Sequence, residues 1–245
     1  MVAEKQLDEF VRRIRQAADE NLQSVILYGS AAAGDFNPEF SNLNVLCLLR
    51  ETSFAKLSAI APVVEWWHRQ KHPAPLVMTG EELERSADVF SIEMLDMQQH
   101  HRVLLGDDPL SGLRIPVLLH RAQVEYELRE KIILLRQRLL LVAAKDRDLW
   151  DLLLGSLPAF ATLLRHALIA LGDDSPRSKR EAVHTLAARI QFDPSALLQL
   201  LDVREHKADR KQLDVKDVFA RYLAAVQHVT TAVDRMLDTS GTAPL

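Results

Sequence analysis

Two short apolar runs, Ser24–Tyr28 and Leu43–Leu49, lie only fourteen residues apart between their facing ends, and together they constrain the fold more than any other part of the chain. Each is rich in Val, Ile and Leu, which suit a pleated, packed surface. The second is apolar at successive positions and so reads as an interior strand covered on both faces. The first ends in Gly29-Ser30, and the second is headed by Asn42 and Asn44 at alternate positions, whose side chains in a strand point the same way. Between them, Ala31–Ala33 suits a short helix stopped by Gly34, and 35–41, with Asn37-Pro38, reads as a loop.

The flanking segments supply helices for both faces. Leu7, Phe10, Val11, Ile14 and Ala17/Ala18 form a helical stripe within 4–20, and Phe54, Leu57, Ile60, Val64 and Trp67 repeat at helical spacing in a helix that Pro73 should end. Pro75–Thr79 reads as a third strand and Phe90–Met97 as a fourth, with a helical reading of the latter open. Beyond about Pro116 the pattern is helical only: amphipathic stretches at 120–144, 147–171, 178–190 and 214–237, and a short helix from Ser195 announced by Asp193-Pro194. Asp214 is placed to cap the last stretch, whose apolar face runs Val215, Val218, Phe219, Tyr222, Val226, Val229, Val233, Met236. The expected class is therefore α+β: a small mixed-sheet α/β domain over 1–108, an all-α helical bundle over 116–238, and a flexible tail at 239–245.

The ordered set Tyr28, Gly29, Ser30, Gly34, the Pro38 loop, Ser41 and the apolar strand Val45–Leu49 resembles the nucleotidyltransferase superfamily, which includes DNA polymerase β and the kanamycin-type aminoglycoside nucleotidyltransferases. The resemblance spans 4–105, and the bundle is similar in arrangement to the kanamycin type. In active members the second strand carries Asp-x-Asp, whose carboxylates hold Mg²⁺ against a triphosphate, with a third acid on a neighbouring strand. The resemblance implies that Gly29 and Ser30 face phosphate and that Asn42 and Asn44 stand at the two metal positions.

That substitution keeps size, alternation and oxygen donors but removes both negative charges. Mg²⁺ is a hard, strongly hydrated cation that favours anionic oxygen, so two amides should hold it far more weakly. Adjacent carboxylates without metal repel each other, whereas amides do not. The expected function is nucleotide binding or regulation by a catalytically impaired member, with no cofactor. The enzyme alternative is a Mg²⁺-dependent transfer of a nucleoside monophosphate from a nucleoside triphosphate to a small-molecule or protein hydroxyl, with Asp35 or Glu39 joining Glu93 as ligands. A third reading is a structural or oligomerisation module with an empty cleft. Glu93 is the candidate catalytic carboxylate: in a strand it shares a face with Ser91 and Leu95, while Asp96 falls among the apolar residues.

Other signals have simpler structural readings. His68 and His72 stand one helical turn apart, a chelating spacing, yet lack a third ligand, and His100-His101 adds none at a recognisable spacing. Trp66 and Trp67 suit a core or interface better than a stacked base. Helical domains beside such nucleotidyltransferases can be RNases marked by Arg, four to six residues, then His. Arg221–His228 and Arg114–His120 have such a spacing, which a chain with this many arginines and histidines also produces by chance. Basic groups at Arg177, Lys179, Arg180 and at Arg204, His206, Lys207, Arg210, Lys211 are interleaved with acids and read as solvated helix ends or a partner-binding patch.

Thirty basic against 34 acidic residues leave a formal charge of -4, which provides no bulk attraction for nucleic acid or an anionic membrane. The single Cys47 cannot form an internal disulfide and reads as a core residue in a reducing, cytoplasmic setting. Met1–Gln6 lacks the basic-then-apolar layout of a signal peptide. Leu149–Leu171 is interrupted by Asp151, Gly155, Pro158, Arg165 and His166, so a buried helix is expected rather than a membrane span. A protein partner or a second copy of the chain remains open.

Overall fold

The computed structural model describes residues 2–32, 42–173 and 178–240. The chain divides into two compact units, Met1–Pro116 and Val117–Leu245. The first contains helices α1 (Val2–Ala18), α2 (Phe54–Arg69), α3 (Gly80–Ser86) and α4 (Ser91–Gln99) and strands β1 (Leu22–Tyr28), β2 (Asn44–Leu49), β3 (Leu76–Thr79) and β4 (His101–Leu105). The strands form one mixed sheet in the order β3-β2-β1-β4, with β2 parallel to β3 and both other pairings antiparallel.

The continuous apolar sequence of β1 and β2 follows from their central positions, where both faces are covered. Val25, Leu27, Val45, Cys47 and Leu49 pack with Leu7, Phe10 and Ile14 of α1 and Ile60, Val63 and Trp67 of α2. Ile26, Leu46 and Leu48 take the opposite face, against Leu83 of α3, Met94 and Met97 of α4, and Leu110. Trp67 is fully buried, its ring 4.7 Å from Phe10 and 4.3 Å from His72. Cys47 is buried at the centre of the first face, where burial pushes its thiol up to about 12. Asn21, also buried, exchanges two 3.1 Å hydrogen bonds with the Glu51 backbone and so joins the turn before β1 to the end of β2.

The face of α2 departs from the expected stripe. Ile60, Val63 and Trp67 are buried, whereas Phe54 is 88% exposed. At about 100° per residue Phe54 lies about 120° around the helix from Ile60, away from the sheet. The helix also ends at Arg69, before Pro73, because Lys71 adopts φ 68° and turns the chain. α3 was not among the expected elements, although its signal is local: Thr79 and Glu82 form a reciprocal capping box.

The larger correction concerns 90–97. This segment is helical, not a strand: α4 buries Ser91, Ile92, Met94 and Met97, and the fourth strand is β4, which follows it. Ser91, Met94 and Met97 recur every three residues, which a helix gathers on one face and a strand would scatter over two.

The sheet has two edges. β3 is only four residues long and follows Pro73 and Pro75. β4 carries Arg102, whose guanidinium holds Glu4 of α1 at 2.9 Å. After β4, Gly106 turns at φ 81°, and a Cβ there would lie 2.0 Å from the Gln23 carbonyl oxygen.

The second unit is helical: α5 (Val117–Val142), α6 (Asp146–Ala170), α7 (Lys179–Ile190), α8 (Ser195–Arg204) and α9 (Val215–Ser240). α6 runs through its core, with Leu153, Leu157, Phe160 and Leu164 buried. It is long and apolar enough to cross a membrane by length and composition, but most of its apolar window is packed inside the unit. The expected stripe of α9 is buried from Val215 to Val233, and the side chain of Met236 lies outside the described residues. Tyr222 meets Phe160 edge-on at 5.7 Å and shares a 3.1 Å hydrogen bond with Ser156. Asp193 accepts from the Ser195 N–H at 2.9 Å, and Asp214 accepts from Lys216 N–H, also at 2.9 Å, as their sequence positions require. Residues 241–245, the end of the expected tail, lie outside the described residues. The whole is an α+β structure: a mixed four-stranded sheet with helices, followed by a helical region.

Gly106→Ala should destabilise the protein by about 2 kcal/mol or more, combining left-handed strain with a backbone clash. Gly112→Ala, where an added Cβ meets nothing within 4 Å, is the control and should stay near neutral. Urea unfolding of both variants measures the difference.

Candidate functional site

The pairing of β1 with β2 sets Tyr28 opposite Asn44, at the end where the chain turns into Gly29. Leu43 is buried in the core, so the alternation of side chains directs its neighbours Asn42 and Asn44 away from it. Asn44 is half-buried, and its amide nitrogen would be 3.2 Å from a Cβ built on Gly29. Gly29 turns at φ 79°, in the left-handed region that glycine adopts without steric cost. Its N–H donates to the His100 carbonyl at 3.1 Å. Residues Gly29–Ala31 form one 3-10 turn that includes Ser30. Asn42 is exposed, just ahead of β2. Gly34, Asp35, the Pro38 loop, Glu39 and Ser41 lie outside the described residues.

A pocket of about 510 Å³ opens beside this junction. Tyr28, Gly29 and Asn44 form one part of it, Leu76 and Met78 of β3 another, and Phe90, Glu93, Met94, Asp96 and Met97 of α4 a third. The sequence-expected residues Gly29, Asn44 and Glu93 are thus brought to one cavity. Asp96 joins them because the segment is a helix: at i and i+3 it shares a face with Glu93, whereas strand alternation had assigned it to the apolar set. Tyr28 is half-buried, and burial raises its hydroxyl above the ordinary tyrosine value.

Among the described residues the donor set does not match what Mg²⁺ requires. Among the described residues no three His, Cys, Asp or Glu side chains gather where they could hold a metal ion. Among them, too, no strand of the sheet carries a carboxylate: β1 reads LQSVILY, β2 NVLCLL, β3 LVMT and β4 HRVLL. β1 and β3, the neighbours of β2 on which the resemblance would put a third acid, are among these. The acids at the pocket come from a helix instead.

The weaker signals resolve into packing. His68 Nδ1 lies 3.3 Å from the His72 carbonyl, while the His72 ring rests on Trp67. Trp66 is half-buried, with the Arg13 guanidinium 4.3 Å above its ring. Arg221 reaches Asp217, Ser195 and Gln199, and His228 meets the Ile190 carbonyl at 2.9 Å, so this pair ties helices together. His120, from the other Arg–His spacing, is fully buried with its Nε2 3.4 Å from His166 Nδ1. Arg180 bridges Asp202 and Glu205, and Lys207 also reaches Glu205, which places basic charge inside a mixed network. Arg177 lies outside the described residues.

No family model matches the chain, and no curated protein matches it in sequence. Solved structures do match it in fold. Spectinomycin adenyltransferase AAD(9) from Enterococcus faecialis, in a crystal structure with ATP and spectinomycin, aligns with 94% of this chain and 99% of its own, at a TM-score of 0.59 and 13% sequence identity. The chain therefore has a nucleotidyltransferase fold, and at this identity the likeness is one of fold alone.

Gly29→Ala should cost about 1–2 kcal/mol, since an L-residue is forced into the left-handed region and its methyl meets the Asn44 amide. The shift in urea midpoint at unchanged m value measures it.

Proposed function

We propose that this protein uses a nucleotidyltransferase fold to bind a ligand of the nucleotide class without a divalent metal, and that it has lost nucleotidyl transfer. One observation carries the reading: the strands that border the pocket offer an amide, Asn44, and no carboxylate. An in-line displacement at the α-phosphate needs metal ions to bridge attacking and leaving oxygens, and carboxylates to hold them. Loss of one preorganised electrostatic group typically costs about 2.7–4 kcal/mol of barrier, and here both strand ligands are neutral. The pocket itself persists, with a volume suited to a small molecule and apolar walls around few polar groups. ATP bound in the spectinomycin adenyltransferase is the precedent for the ligand class. In this reading the Gly29–Ser30 turn and Asn44 border the ligand, Asn42 is not part of the lining, and Glu93 acts in binding rather than as a base.

Calorimetric titration of nucleosides and nucleotides should give the same affinity in EDTA as in Mg²⁺ or Mn²⁺, with no pyrophosphate released. Asn42→Asp combined with Asn44→Asp should introduce metal-dependent affinity. Metal-linked turnover by the wild type equal to that of the double variant overturns the proposal, as does failure of every nucleoside and nucleotide to bind.

A further inference from the structure

We infer that the protein dimerises by packing α5 antiparallel against α5 of a second copy, with the two-fold axis passing between Arg129 and Glu130. The surface belongs to the helical unit and does not depend on what the first unit binds. Leu119, Tyr126, Ile133 and Leu140 stand on α5 at intervals of seven residues and are 49%, 64%, 53% and 83% exposed. A seven-residue step drifts only about 20° around a straight helix, so the four span about 60° and form one stripe. The core face of α5 lies elsewhere: Val124, Leu128, Ile132 and Leu135 are buried where the helix packs on α6 and α9. Tyr126 and Leu128, two residues apart in sequence, are about 160° apart around the axis.

Single exposed apolar residues are ordinary on a protein surface. A strict heptad on a helix already apolar along its other face is different, and is the pattern of a helix covered on both sides. Charge selects the partner and its direction. A parallel pairing of two copies would set Arg129 beside Arg129 and Glu130 beside Glu130. The antiparallel pairing sets Leu119 opposite Leu140, Tyr126 opposite Ile133 and Arg129 opposite Glu130, and symmetry repeats each contact. On its own chain Arg129 holds Glu125 and Asp234, and Glu130 holds Lys131, yet the two side chains keep 50% and 42% exposure, which leaves room for a partner across the axis.

A groove of about 510 Å³ beside the stripe supplies an anchor point, lined by Ile132 and Ile133 of α5 and Gln227 and Thr231 of α9 among others. Tyr126 of the second copy faces Ile133 in this register, so its ring enters the groove, with the Gln227 amide at hand for its hydroxyl. A large aromatic seated in a pocket near the middle of an interface is where binding energy concentrates. The seam from Leu119 to Leu140 is about 30 Å long between helices about 10 Å across, at the low end of the roughly 1,200–2,000 Å² that stable interfaces bury, so micromolar rather than nanomolar strength is expected.

Sedimentation velocity of the full chain over about 1 to 100 μM should show monomer converting to dimer. Ile133→Glu should weaken that dimer about tenfold or more with unchanged circular dichroism. Arg129→Glu should weaken it as well, by placing like charges across the axis, and adding Glu130→Arg should restore it, because the exchange rebuilds opposite pairs only in the antiparallel register. If Arg129→Glu does not fold, Tyr126→Cys combined with Ile133→Cys reports the register instead: the double variant should cross-link into dimers on oxidation and Tyr126→Cys alone should not. A chain monomeric at every concentration, a dimer indifferent to Ile133→Glu, a charge exchange that restores nothing, or cross-linking by Tyr126→Cys alone overturns the inference.

Discussion

The antiparallel pairing of β1 with β2 is the constraint on which the first unit depends. These strands are buried on both faces, so each residue must pack against one helical layer or the other, and a slip of one position would exchange the layers. The pairing that seats Cys47 opposite Val25 also sets Asn44 opposite Tyr28. Core packing and site geometry thus share one register. The Asn44 amide is held by the same pairing that fills the interior around Trp67.

Charge then decides what this geometry can do. The fold matches a protein whose crystals hold ATP, but a fold fixes where side chains sit and leaves their chemistry to sequence. Here the strand tips bring an amide and apolar residues, while the carboxylates arrive on α4. A carboxylate on a helix face is displaced in origin from one on a strand tip.

Much of this was legible in the chain. The two central strands, the stripe of α1, the helices after Pro116 and the caps at Asp193 and Asp214 all carry local signals that packing reinforces. The segment 90–97 misled because Ile92, Glu93, Met94 and Leu95 mix apolar and polar residues in a way that fits two periods over so short a span. Only tertiary packing of Met94 and Met97 against Leu46 and Leu48 separates them, and the choice decides whether Asp96 faces the pocket. The α2 face was misread for a related reason: apolar Phe54 and Leu57 continue the stripe in sequence but run past the surface available to cover them. Thr79-x-x-Glu82, by contrast, is a complete start signal that the sequence displayed openly.

The outermost strands bear on how the protein meets other chains. An open sheet edge presents a row of backbone donors and acceptors to any passing extended segment. On one side that row is only four residues long and preceded by two prolines; on the other, a guanidinium clamped to the first helix stands in the row. Both margins are poor templates for a foreign strand, so sheet extension is disfavoured as a route to assembly or fibril growth.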